Sequence, residues 1–325
     1  MPNLNQSGSG RHTKVILVTR VFKEATDEKI AKLADEIRFL ESIPKEWKKH
    51  FPEIVFSHIG KDRCYYEMPS YKLPTIRTYL FSGKWTHKET LKWLDKILEF
   101  AFEMYKKEVI PRPKEYMNEL YWDRLESRLK QLEDWTEVFK NILPKKRIWI
   151  NGKLYLNTRS ILKKIRKKEN LVYPEFVSKW GHFDMHFSNV LIDVKKNNFI
   201  FIDPRGYQYC DYYYDYGKLW HSVNGKYEFI AENRFQLNHT TFQLERNSVY
   251  YECEEIKRKL PDLLEKYSGE KKEIVMRKTQ FSEAMHFSSL VPFILDYDNL
   301  ELRARVGYYT GVVLLNRWYK KYGRK

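Results

Sequence analysis

At 325 residues the chain is long enough to bury a substantial core and fits one bilobal unit or two domains. Hydrophobic residues at 42% and aromatics at 16% exclude a disordered chain. A formal net charge of +16 predicts attraction to anions such as nucleotides, phosphorylated sugars, nucleic acid or an anionic membrane, although a lysine-rich surface without a basic partner reads the same way.

In chain order, the opening MPNLNQSGSGR carries no signal-type apolar region, and its glycine-rich part leads into KVILVTRVF, a β-branched run that predicts a strand. A helix is expected from about Thr26 to Ser42, with Ile30, Leu33, Ala34, Ile37 and Leu40 on one face, Glu36 at its edge and Asp35 pointing away. Pro44 stops it, and EIVFSH and RCYYEMP follow as short strands. After Ser70 the pattern turns helical. Thr86 with Glu89 forms a capping box, and the apolar series from Leu91 to Tyr105 gives a long amphipathic helix that Pro111 and Pro113 end. Helices are expected at about 115–142 and 157–169, the second carrying the basic run Lys163 to Lys168, and everything beyond about 215 reads as mainly helical. The switch predicts a small β-rich lobe over 1–72 and a larger α-rich lobe over 73–325. Cys64, Cys210 and Cys253 are too widely spaced for a disulfide framework or a zinc site, and no run approaches the roughly 18 apolar residues of a membrane span, so a soluble cytoplasmic protein is expected.

The densest functional segment is HFDMHFSN, His182 to Asn189, followed by NVLIDVKKNNFIFIDPRG. VLIDV and FIFID predict two strands joined by KKNN, which puts Val194 opposite Phe199 and Val190 opposite Asp203. Asn189 and Asp203 then emerge side by side, about 4.5–5.5 Å apart at Cβ, a spacing of hard oxygen ligands that suits Mg²⁺. Asp184 stands in the loop leading to the same corner. Two other readings compete: a polar capping loop, and a metal cage of His182, Asp184 and His186, which alternating side-chain directions disfavour. His182 reads as a structural histidine that holds the loop.

An aspartate, an asparagine five residues later and an aspartate beyond a hairpin form the layout of a kinase catalytic loop. On His182-Phe183-Asp184 to Asn189, and on Asp203-Pro204-Arg205-Gly206, the chain resembles the aminoglycoside and choline phosphotransferase family. Asp211 to Ile230 is similar to kinase-like proteins of bacterial surface-polysaccharide pathways, with Asp215 as the expected anchor of the loop. The resemblance implies an α+β, protein-kinase-like bilobal fold and a phosphotransferase that uses ATP or GTP with Mg²⁺. It implies Asp184 as base and Asn189 and Asp203 as metal ligands. Gly8 and Gly10 would cradle phosphate, Glu36 would pair with a phosphate-binding cation, and Glu67 and Met68 would lie at the nucleotide hinge. Arg20, Lys23 and Lys14 are all candidates for that cation. Phe183 stands where the family has glycine, which is tolerable if the backbone there needs no positive φ. The excess of basic residues, with Arg205 near the site and Tyr207, Tyr209, Tyr212, Tyr213 and Tyr214 available for stacking, points to a neutral or anionic sugar or polyol as acceptor, with no nucleic acid partner. A non-catalytic nucleotide-binding module and a basic nucleic-acid-associated protein are the alternatives.

Overall fold

The computed structural model describes residues 20–206, 208–294 and 301–324. Within them the chain is α+β, a small strand-bearing lobe followed by a larger helical one. Gly8, Gly10 and Lys14 lie outside the described residues, and so does most of the first predicted strand.

The first lobe runs through β1 (Arg20–Ala25), α1 (Ile30–Ser42), β2 (Phe56–Ile59) and β3 (Cys64–Pro69). α1 packs on this sheet with Leu33, Ala34, Ile37 and Leu40 buried, as their shared face predicts. It ends at Ile43, whose ψ of 127° is the extended conformation that Pro44 imposes on the residue before it. β3 is the middle strand, with β1 on one side and β2 on the other, so Cys64 to Glu67 face a partner on both edges. Of the two residues expected at the hinge, Glu67 is thus paired on both edges, whereas Met68, like Pro69, has no partner in β2.

The chain crosses to the second lobe along 70–75, where Ile192 N donates to the Pro74 carbonyl at 2.9 Å and Thr75 bridges to Leu191. That lobe contains α2 (Ile76–Phe81), α3 (His87–Lys106), β4 (Val109–Pro111), α4 (Asp123–Trp135), α5 (Glu137–Ile142), β5 (Arg147–Ile150), β6 (Lys153–Leu156), α6 (Thr158–Arg166) and β7 (Phe176–Ser178). It continues with β8 (Val190–Asp193), β9 (Asn198–Phe201), α7 (Tyr212–Val223), α8 (Tyr227–Ala231), β10 (Phe235–Asn238), β11 (Thr241–Leu244), α9 (Ser248–Ser268), α10 (Lys272–Ile294) and α11 (Glu301–Trp318). α3 begins on the expected capping box, with the Thr86 N–H donating to Glu89 at 2.9 Å. α10 packs against α4, α7, α9 and α11, and one apolar core runs from α1 through α3 and α7 to α11.

Two expectations are corrected here. The hairpins β5–β6 and β10–β11 interrupt the helical lobe, the second of them inside the stretch expected to be helical. The first carries its own signal, Asn151-Gly152 with φ of 49° and 70°, the residue pair favoured in tight two-residue hairpins. The β8–β9 register is the other correction. Its turn is Val194 to Asn197 rather than Lys195 to Asn198, so Asp193 faces Asn198 and Val190 faces Phe201. Asp193 Oδ1 accepts the Lys196 N–H at 3.0 Å, and Asn197 takes a left-handed φ of 52° that asparagine tolerates. A two-residue shift leaves every side chain on its expected face but carries Asp203 past the end of the ladder, where Ile202 rather than Asp203 bonds to Asn189.

Candidate active site

A cavity of about 440 Å³ opens between α1, the segment before β8, the segment after β9 and α7. Its upper wall begins with Lys23. The side chain comes from β1, and its Nζ donates to both Glu36 oxygens at 2.7 and 2.8 Å and to Asp203 Oδ1 at 2.8 Å. Tyr66, opposite Lys23 on β3, donates its hydroxyl to Glu36 at 2.8 Å. Burial pushes the Glu36 carboxyl up despite the ammonium beside it. For Lys23, burial pulls the ammonium down, but Glu36 and Asp203 outweigh it and hold it above its usual value. Of the two described candidate cations, Lys23 is therefore the one on Glu36. Arg20 is turned away, its guanidinium on Glu67 at 2.9 Å. Glu67 and Met68 do not line the cavity.

The loop from Gly181 to Asn189 is fixed from below. Asp215, fully buried on α7, accepts the His182 N–H at 2.9 Å and the Met185 N–H at 3.4 Å, and Tyr105 donates to it at 2.8 Å. His182 is buried, its Nε2 on the Ile202 carbonyl at 2.9 Å and its Nδ1 accepting the Asp184 N–H at 3.2 Å. It holds the loop rather than facing the cavity. Phe183 does not meet the condition of no positive φ: it stands at 62° with its ring fully buried. A bulky residue there carries backbone strain that its core packing must offset. Gly206 is a second constrained point. Its φ is 63°, and a Cβ would come within 2.1 Å of the Asp35 carbonyl on α1.

Asp184 is the most heavily engaged carboxylate of the cavity. Arg205 Nε and Nη2 donate to its Oδ2 at 3.2 and 3.1 Å, and Lys218 Nζ lies 2.9 Å from Oδ1. Burial opposes its ionisation, but Arg205, Lys218 and His186 overcome that and hold the carboxyl well below the usual range. Lys218 is 3% exposed and pushed down to about 8 by burial, against the pull of Asp184. Asn189 donates its amide to the Asp184 carbonyl at 3.0 Å, which leaves the amide oxygen for a cation.

Asp184, Asn189 and Asp203 are thus brought to one cavity together with Lys23, Glu36 and Arg205. Lys32, Lys218, His221 and Tyr227 also line it and were missed in the sequence. Lys218 and His221 carried a signal, since they follow Asp215 at three-residue intervals on one face of a helix. His221 is 1% exposed with neither ring nitrogen hydrogen-bonded within the described residues, and burial pulls its pKa well down. Other expected residues stay away. Tyr213 and Tyr214 are core residues, Tyr209 and Tyr212 do not line the cavity, and Tyr207 lies outside the described residues. Lys163 and Lys164 are on the solvated side of α6. No group of three or more His, Cys, Asp or Glu among the described residues could cage a metal, which removes the His182–Asp184–His186 cage.

No protein-family model matches the chain, and no curated protein matches it. Among solved structures it is similar to the aminoglycoside phosphotransferase APH(3'')-Id of Streptomyces rimosus in complex with ADP and streptomycin. The identity is 12%, the match covers 91% of this chain and 86% of that one, and the TM-score is 0.36. This is a likeness of fold at most, and the functional reading stands on the geometry of the cavity instead. No helix among the described residues is long and apolar enough to cross a membrane.

Proposed function

We propose that the chain is a Mg²⁺-dependent phosphotransferase that moves the γ-phosphoryl group of ATP or GTP to a hydroxyl of a sugar or polyol, with lobes dividing near residue 72. The single observation that carries this is the bridging position of Lys23. One ammonium lies on the α1 glutamate and on the aspartate after the β8–β9 hairpin, at the mouth of the cavity that also holds Asp184 and Asn189. A lysine–glutamate pair, an Asp-x₄-Asn loop and a following aspartate are the parts that phosphoryl transfer uses in protein kinases.

In this reading Glu36 aims the Lys23 ammonium at the nucleotide phosphates. The residues that would hold Mg²⁺ are Asp203, whose side chain is 49% exposed and therefore able to leave Lys23, and Asn189 through its amide oxygen. Two oxygens suit Mg²⁺, which takes its remaining ligands from phosphate and water. The chemistry bound Mg²⁺ supplies is neutralisation of phosphate charge. Asp184 orients the acceptor hydroxyl and receives its proton. Arg205 and Lys218 keep that carboxylate ionised and face any negative charge on the acceptor side, which favours a neutral or anionic acceptor over a cationic one.

The test is nucleotide consumption over a panel of neutral sugars, sugar acids and polyols, run with wild type and Asp184→Asn. Acceptor-dependent ADP or GDP release by wild type alone is the expected result. Equal release by both proteins, or preferred phosphorylation of kanamycin-like polycations, sinks the reading. A second reading rests on the two cations that already occupy Asp184: a nucleotide-binding module without turnover. It predicts a thermal shift with Mg-ATP and no acceptor-dependent release.

A further inference from the structure

A second cavity, of about 360 Å³, lies on the other side of the α7–α8 junction, within the size range of small-molecule sites. Asn224 and Gly225 line it, whereas His221 and Tyr227 line the active cavity. Its walls are the two hairpins that interrupt the helical lobe, together with α11. β6 contributes Lys153 and Tyr155, two residues apart and so on one face of the strand, and Arg246 follows β11. α11 contributes Arg317.

Lys153, Arg246 and Arg317 are exposed, and none forms an ion pair or a side-chain hydrogen bond with a described residue. No aspartate or glutamate is among the described residues that line the cavity. Three cations thus line one cavity with no lining carboxylate to balance them, beside Tyr155 and Tyr250. The walls are held in place. Asn316 on α11 brackets β6, accepting the Leu156 N–H at 3.1 Å and donating to the Leu156 carbonyl at 2.8 Å. The hairpins are tied to each other by the Asn151 N–H on the Thr240 carbonyl at 3.1 Å and by the Phe242 N–H on the Asn151 side chain at 2.7 Å. Such a frame keeps the cost of ordering the site around a ligand low.

We propose that this cavity is a second binding site, separate from the phosphotransfer cavity, and that it takes a phosphorylated saccharide. A phosphate dianion matches three cations lining one cavity, two of them arginines that can grip it through paired N–H groups. The tyrosine rings supply a face and hydroxyls for the sugar. A neutral sugar would leave the charge unmatched. A nucleic acid strand would call for cations in a stripe along the surface rather than around one concavity.

The experiment is calorimetric titration of the full chain, without nucleotide, using glucose 6-phosphate, mannose 6-phosphate, glucose 1-phosphate, inorganic phosphate and glucose. At least one hexose phosphate should bind more tightly than inorganic phosphate, and glucose should not bind. The triple variant Lys153→Gln, Arg246→Gln, Arg317→Gln should weaken that binding about a hundredfold, while Lys218→Met, titrated at a temperature where its melting curve shows it folded, leaves it intact. Unchanged melting checks that the triple variant is folded. If it melts early, the single changes Arg246→Gln and Arg317→Gln replace it, each costing about tenfold. The proposal is overturned if inorganic phosphate binds as tightly as every hexose phosphate, if the cation changes have no effect, if Lys218→Met alone removes binding, or if only an oligonucleotide binds through the three cations.

Discussion

Asp184 and Asp203 both meet a lysine ammonium at under 3 Å in one cavity, yet their surroundings are opposite. The Asp203 side chain is 49% exposed and shares its lysine with Glu36, so water, phosphate or a metal can compete for its oxygens. Asp184 is 17% exposed and held on both oxygens, by Arg205 on one and Lys218 on the other. An exposed carboxylate can exchange partners at little cost. A buried one cannot, because each partner it gives up must be replaced before the charge is left bare. The difference separates a carboxylate suited to a metal from one suited to a single hydroxyl.

The largest effect should come from exchanging the two. Asp184→Asn should lower turnover by about 10³-fold, in the range of general acid–base contributions, and leave Mg-nucleotide affinity near wild type. Asp203→Ala should abolish the Mg²⁺ dependence of nucleotide binding, read by titration with and without the metal. If both substitutions weaken nucleotide binding alike, the two carboxylates do the same work and the comparison fails.

The clamp itself is the next target. Removing Lys218 takes the cation from Asp184 Oδ1 and leaves Arg205 on Oδ2, so Lys218→Met should cost about 3 kcal/mol, the low end for a broken buried pair, in denaturant melts at pH 7. The loss should shrink as pH falls and Asp184 is protonated. The sign follows from its carboxyl, which is held below the usual range: the stability it contributes is present above the ordinary carboxylate pKa and lost as pH drops. A pH-independent loss would show that Lys218 matters for packing and not for charge.

Phe183, next to Asp184, sharpens the comparison from the backbone side. Phe183→Gly relieves a positive φ worth about 1–2 kcal/mol but empties a buried ring site worth about 3–5 kcal/mol. A net destabilisation of about 2 kcal/mol is expected in urea melts. A glycine variant more stable than wild type would mean that strain, rather than packing, dominates there.

At neutral and lower pH the smallest effect uses a buried carboxylate with no cation in contact among the described residues, and it grows only as pH rises. Glu283 is fully buried and accepts two bonds from Asn224, at 2.9 and 3.0 Å. Burial, against the pull of those bonds, pushes its carboxyl from 4.5 up to about 8. The folded state therefore holds a proton that the unfolded state has lost, and stability falls as pH rises across that window. Glu283→Gln removes the dependence, so its stability relative to wild type should rise by up to about 1.4 kcal/mol per pH unit between pH 5 and 8. A flat difference would mean that Glu283 is ionised throughout.

Much of the site was legible because its residues are local in sequence. The Asp184-to-Asn189 spacing and Asp203 two residues beyond β9 lie within one loop and one hairpin, and the α1 face was set by helical periodicity. What failed was finer. The β8–β9 turn falls one residue earlier than expected, which shifts the pairing by two, because the Asp193 side chain and the left-handed Asn197 choose where the strands close. Asn151-Gly152 marks β5–β6, but its lysine-rich neighbours blur the strand alternation on either side.

By itself the sequence determined the long helices, the alternation of apolar faces and the group of polar residues around Asp184, since those follow from spacing along the chain. The tertiary structure alone decided which cation meets Glu36. Arg20 and Lys23 are an odd number of residues apart on β1, so they point to opposite faces, and only the packing of α1 makes one of those faces inner. It also decided that Lys218, thirty-four residues from Asp184 in the chain, would close on it. The spacing from Asp215 puts Lys218 on the same face of α7, but its pairing with Asp184 exists only once α7 is folded beneath the loop and water is excluded from between them.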